Sequence, residues 1–290
     1  MKGRDSGAHT LSTFRGKGER RTNRRREWMD KTNGIKPIPF WQSLVFFGIP
    51  GVIVYLNIYV GVPYLVRAGV PLIVCFPPLL MLPILLPVSI VVYWLEGNEM
   101  SWARLRERFR LNPISGRHWL WVVGVFFCAQ LSDVVFGFIG LDRIARWLAT
   151  FPLFAPPQYL PAFMDPQVDL EFPFAEFLGV PLEGNWWILL WWFFLLFFSN
   201  LGEEFMWRGF ILPRQEQSLG KWAWMVNGLF WAFLVHAVLK WQYVGMLPSM
   251  LLTPWLAQKL SNTWASFLVH FGGNLLVIVL LLPGILGIGS

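Results

Sequence analysis

Apolar residues in this chain come in long runs, separated by short polar intervals. A membrane-spanning helix needs about 20 apolar residues. Seven runs, give or take one, approach that length, at about 40–62, 70–95, 119–140, 186–205, 222–239, 243–258 and 264–282. The pattern predicts an all-α fold, a polytopic transmembrane helical bundle of about seven spans. The second run carries Pro71, Pro77, Pro78, Pro83 and Pro87 and is expected to kink, which neighbouring helices can accommodate. The sixth is expected to be short and broken by Gly245, Pro248 and Pro254. Residues 101–111 mix arginines with apolar side chains at helical spacing and read as an interfacial amphipathic segment. Residues 141–185 read as a long acidic loop.

Composition agrees with the membrane class. The chain is 55% hydrophobic and 14% charged, against about 25% charged in ordinary soluble domains. The formal charge of +7 is carried by residues 1–38, with eleven Lys/Arg against four Asp/Glu; the other residues have thirteen of each. Residues 1–38 therefore read as a basic disordered cytoplasmic arm, and 39–290 as the transmembrane domain. Arg20-Arg21 and Arg24-Arg25-Arg26 suit a juxtamembrane anchor to anionic lipid. Nucleic acid is not an expected partner, because the basic patch has few interleaved aromatics and abuts a span. The arm is too long and polar for a signal peptide. Cys75 and Cys128 fall inside apolar runs and read as inert core residues.

The chemistry concentrates in Asn200-Leu201-Gly202-Glu203-Glu204-Phe205-Met206-Trp207-Arg208-Gly209-Phe210, at the end of the fourth run. A charge kept in an apolar span is a functional candidate, because it costs about 2.5–3.5 kcal/mol or more to place there. Glu204 and Arg208 are four apart and can pair on one helix face, which leaves Glu203 free. His236 lies in the fifth run; His270 and Asn274, at i and i+4, share one face of the last. Gly272 and Gly273 between them allow another helix to approach. Residues 203 and 236 are equidistant from the polar turn at 213–220, which supports a Glu203–His236 contact. Each group alone has an ordinary structural reading, as interfacial charge, hydrogen-bonded core histidine or interhelical glue. Their convergence in one chain argues for a site. A buried Glu beside His and a confined water makes a general base, and a second His with Asn can donate to an oxyanion. His-Glu-x-x-His is absent, as are Gly-x-Ser-Gly and Gly-x-Gly-Asp. No cofactor is expected, while the two histidines with a carboxylate leave a metal open. Asp133, in the third span, is expected to be structural.

Glu203-Glu204-x-x-x-Arg208, then His236, then His270-x-x-x-Asn274 resembles the CPBP family, the type II CAAX prenyl endopeptidases and their bacterial relatives. The resemblance spans about residues 186–283 and implies a glutamate-dependent intramembrane endopeptidase. Carried over, it makes Glu203, His236, His270 and Asn274 catalytic, with Glu203 and His236 activating water and His270 and Asn274 holding the oxyanion. Glu204 and Arg208 would keep the first motif in shape. One position departs: where the family pattern has Phe four residues before the histidine, this chain has Ala232. The implied partners are membrane lipid and a protein or peptide substrate, lipidated or not. The rival reading is a non-proteolytic membrane protein of the same fold, acting in bacteriocin immunity or partner binding. A small-solute transporter has weaker support from the broken spans and Asp133.

Lys/Arg bias in the loops predicts orientation. The basic arm and the loop holding Arg104 to Arg117 are expected in the cytoplasm of a bacterial plasma membrane, with the acidic 141–185 loop on the other side. Reporter fusions at Gly7 and Pro166 should report opposite sides; the same side for both would contradict this topology.

Overall fold

The computed structural model describes residues 35–81, 84–138, 142–169 and 171–288. The basic arm, up to position 34, lies outside the described residues. Contacts divide the chain into Met1–Lys36 and Pro37–Ser290, and the described helices belong to the second unit. The apolar runs form helices: α1 Phe40–Leu56, α2 Val62–Arg67, α3 Leu72–Met81, α4 Leu85–Leu95, α5 Trp102–Arg108, α6 Gly116–Phe138, α7 Asp142–Ala149, α8 Trp187–Glu204, α9 Leu212–Leu219, α10 Ala223–Phe233, α11 Tyr243–Leu260 and α12 Thr263–Ile285. A two-stranded hairpin, Glu176–Phe177 with Val180–Pro181, lies in the acidic loop. That loop is thus partly structured, and Phe177 and Leu182 bury against the helices.

Among the described residues four stretches are long and apolar enough to cross a membrane: Phe40–Arg67, Leu72–Leu95, Trp187–Phe233 and Thr263–Ile285. The expected count of about seven is not confirmed. The third, fifth and sixth runs do form helices, α6, α10 and α11. Of these, α10 falls within the Trp187–Phe233 stretch, while α6 and α11 are not among the four.

Three boundaries differ from expectation. First, the polar stretch at 213–220 is not a turn. A π-helical segment, Phe205–Ile211, carries α8 into α9, and the chain reverses only at Gly220, with φ +57°. The polar residues of α9 are buried because each has a partner. Arg110 makes a bidentate pair with Glu216 at 2.7 Å, Arg214 meets Glu96, and Gln215 accepts from Asn227 at 2.8 Å. Arg108 donates to the Gly209 carbonyl at 3.3 Å, and burial beside Arg110 lowers its guanidinium to about 10. It remains charged at neutral pH. These contacts clamp the segment around α5 onto the end of α8 that the expected topology directs at the cytoplasm.

Second, α10 ends at Phe233. Residues Val235–Gln242 follow as a 3-10 segment with non-helical φ/ψ at His236 and Leu239. Third, α11 runs unbroken through Pro248 and Pro254, since tertiary packing can re-satisfy backbone groups that proline frees.

On α8, the buried residues Ile188, Trp192, Leu196, Ser199 and Glu203 recur at steps of three or four. That spacing is one helix face, so Glu203 ends the stripe that faces the bundle interior. α12 packs antiparallel along α8, and α6 packs on α11 and α12. Gly272 and Gly273 do admit a neighbour, since a Cβ at either would meet Phe126 or Gln130 of α6.

Gly202 sets another close approach. A Cβ there would stand 2.8 Å from the Leu86 nitrogen of α4, so Gly202→Val must push α4 away from the Glu203 turn. Overpacking of this kind costs about 1–3 kcal/mol. Thermal unfolding in detergent should show a lowered midpoint for Gly202→Val. The control Gly124→Ala meets open space and should hold or raise the midpoint, because Ala gains about 1 kcal/mol over Gly in a helix.

Candidate active site

Glu203 and Glu204 diverge as a helix requires. Glu204 is fully buried and turns away from the interior cavity. Its Oε1 lies 3.5 Å from Arg208 Nη1 and accepts from His270 Nδ1 at 3.0 Å. Arg208 is equally buried, and its guanidinium carbon sits 3.8 Å from the centroid of the Trp231 ring. Among the described residues no guanidinium nitrogen of Arg208 has a hydrogen-bond partner. Charge pairing and the indole face are what hold it, and a desolvated cation–π contact is worth about 2 kcal/mol.

Glu203 faces the cavity. The Trp231 indole N–H donates to its Oε2 at 2.5 Å, and among the described residues nothing hydrogen-bonds to Oε1. His236 meets the same tryptophan, with Nδ1 3.3 Å from the Trp231 carbonyl. A carbonyl only accepts, so Nδ1 carries the proton in this contact and Nε2 is left for another partner. No hydrogen bond joins Glu203 and His236 directly; Trp231 bonds to both. The reason is the unequal hairpin. From Glu203 to Leu219 the chain covers about twice the length from Ala223 to Trp231, so equal distance from a presumed turn does not place residues opposite each other.

α12 meets α8 in antiparallel register. His270 reaches Glu204, and one turn along α12, Asn274 Nδ2 donates to Asn200 Oδ1 at 2.8 Å. Asn200 is itself anchored, its amide donating to the Leu196 carbonyl at 2.7 Å. The His270 contact also fixes a tautomer: a carboxylate accepts, so Nδ1 is the protonated nitrogen.

Glu203, His236, His270 and Asn274 therefore line one cavity of about 480 Å³, while Glu204 and Arg208 lie behind its wall. Trp231 and Asn200 complete the constellation, and motif reading missed both. Asn200 had a signal, four residues before Glu204 and hence on its face. Trp231 had none, since its role depends on the reversal at Gly220. Among the described residues no three His, Cys, Asp or Glu side chains converge closely enough to hold a metal.

The Glu204–Arg208 pair makes a prediction. Removing one partner of a buried pair leaves a stranded charge at a cost of about 3–5 kcal/mol, whereas replacing both with apolar or neutral groups is often close to neutral. Arg208→Ala should sharply reduce the yield of folded protein. Glu204→Gln/Arg208→Met should recover much of it, measured by monodisperse yield and thermal unfolding in detergent. A double variant as poor as Arg208→Ala would contradict the ion-pair account.

Residues 185–276 match the model of the family described as type II CAAX prenyl endopeptidase Rce1-like. No curated protein and no solved structure matches the chain. The matched segment runs from the start of α8 to α12 and contains the site residues. This helical core is thus similar to the Rce1-like type II CAAX prenyl endopeptidases, a family of membrane CAAX proteases.

Proposed function

We propose that the chain is an intramembrane endopeptidase in which Glu203 activates a water within the cavity. The carrying observation is that Glu203 is the one glutamate of the pair that faces the cavity, with one oxygen fixed by Trp231 and the other open. The family match supports the reaction class.

Glu203 Oε1 takes a proton from the water as its oxygen attacks the peptide carbonyl carbon. His236, with Nδ1–H engaged by Trp231, offers Nε2 to the same water. Charge developing on the carbonyl oxygen is met by donors from α12: the free amide N–H of Asn274 and, when the ring carries both protons, the Nε2–H of His270, whose Nδ1–H Glu204 holds much as a carboxylate holds the histidine of a hydrolase triad. Collapse breaks the C–N bond, and the proton held by Glu203 passes to the leaving amine. Such general acid–base assistance contributes typically 10²–10⁴-fold.

The substrate in this reading is a membrane-associated protein or peptide, entering a cavity walled by helices. Prenylation is not required by anything in the cavity lining. The protein sits in a bacterial plasma membrane with its N-terminus in the cytoplasm.

The test is Glu203→Gln, which keeps the side chain's size and removes its capacity to take a proton. Purified in detergent, it should unfold at the wild-type temperature and lose peptide cleavage by at least ~100-fold. Cleavage retained by Glu203→Gln and lost in a normally folded Glu204→Gln would reverse the two assignments.

A further inference from the structure

The cavity holds a second carboxylate that this hydrolysis leaves unused. Asp133 of α6 is half-buried on its wall and meets Ser249 of α11. Ser249 has one hydroxyl proton, and it is also directed at the Met246 carbonyl, 2.9 Å away. Asp133 therefore shares a single neutral donor. Among the described residues no Lys or Arg lines the cavity, so Asp133 and Glu203 face it with two imidazoles for compensation. A carboxylate among apolar walls favours a cation strongly.

A second observation points to a ligand. Ser199 and Trp192, on the buried face of α8, are 3% and 2% exposed. The Ser199 hydroxyl and the Trp192 indole N–H have no hydrogen-bond partner among the described residues, and both residues line the cavity. Buried donors left unmade are costly; the amide groups of a bound peptide would satisfy them.

We propose that Asp133 is the specificity-determining residue of this cavity, holding the ammonium or guanidinium of a Lys or Arg in a membrane-embedded peptide substrate. The inference rests on the hydrolytic reading for its substrate class. α6 and α12 start together, tied by Asn262 donating to the Asn112 carbonyl at 2.8 Å. Gln130 is level with Gly273, three residues beyond His270, and Asp133 is three residues beyond Gln130. At 1.5 Å per residue, Asp133 lies about 9 Å along the bundle from the reacting centre. An extended peptide covers that distance in about three residues. The cationic side chain is thus placed about three residues from the bond that is cut.

The probes are apolar peptides that differ only in carrying Lys, norleucine or Glu about three residues from the central bond, on either side. Binding is read on the full-length Glu203→Gln protein in detergent, from quenching of its tryptophan fluorescence. Cleavage is read on the wild type. In one of the two positions Lys should bind at least ~10-fold tighter than norleucine, with Glu weakest. Asp133→Asn in the same background should bring Lys and norleucine within about 2-fold of each other. Equal binding of Lys and norleucine at both positions overturns the proposal. So does a Lys preference that survives in Asp133→Asn. Should Asp133→Asn fail to fold, the peptide series on the unchanged Asp133 decides alone. A Lys preference in binding without cleavage by the wild type counts against hydrolysis and leaves the recognition intact. Cleavage without any Lys preference does the reverse.

Discussion

A guanidinium and a carboxylate, both fully withdrawn from solvent, sit side by side at the end of α8. Neither charge can be left alone in such surroundings, and this constraint orders the rest of the core. Glu204 needs Arg208 and takes a further donor from His270, which fixes the register of α12 against α8. Arg208, without a hydrogen-bond partner among the described residues, rests on the Trp231 ring, which fixes α10. Once Trp231 is held there, its indole N–H reaches Glu203 and its carbonyl reaches His236. The same buried pair thereby positions four side chains and contacts His270 and Trp231 directly, reaching Glu203 and His236 through Trp231.

The two adjacent glutamates acquire different chemistry from a rotation of one residue. Glu204 is neutralised by its partners and lies behind the wall. Glu203 faces a cavity of about 480 Å³ with an oxygen to spare. A base needs access to substrate and an environment that can accept a proton, whereas a structural anion needs permanent partners. The π-helical turn that follows, Phe205–Ile211, lets every residue of the segment bury. It is stacked from outside by Phe47 on Trp207, with ring centroids 4.3 Å apart. π-turns within α-helices often mark functional sites, and here the turn carries Arg208.

Much of the arrangement is legible in the order of residues. The pairing of Glu204 with Arg208 follows from their spacing, and the shared face of His270 and Asn274 from theirs. What is not legible depends on tertiary packing. Residues 213–220 resemble a solvated turn because they are polar; they form a buried helix because Arg110, Glu96 and Asn227 supply partners. Pro248 and Pro254 suggest a broken span, yet α11 is continuous. A direct hydrogen bond between Glu203 and His236 requires a symmetric hairpin, and the hairpin is not symmetric. Trp231, one of eighteen tryptophans, carries no local mark that sets it apart.

The central claim is that Glu203 delivers a water to the peptide bond and does not attack it. A single turnover in ¹⁸O-labelled water, with enzyme in excess over a cleavable membrane peptide, tests this most directly. The account predicts one ¹⁸O in the new carboxyl group of the product after the first turnover, and none in the Glu203 side chain. Unlabelled product together with label in the Glu203 carboxylate would show covalent attack by that residue and contradict the account.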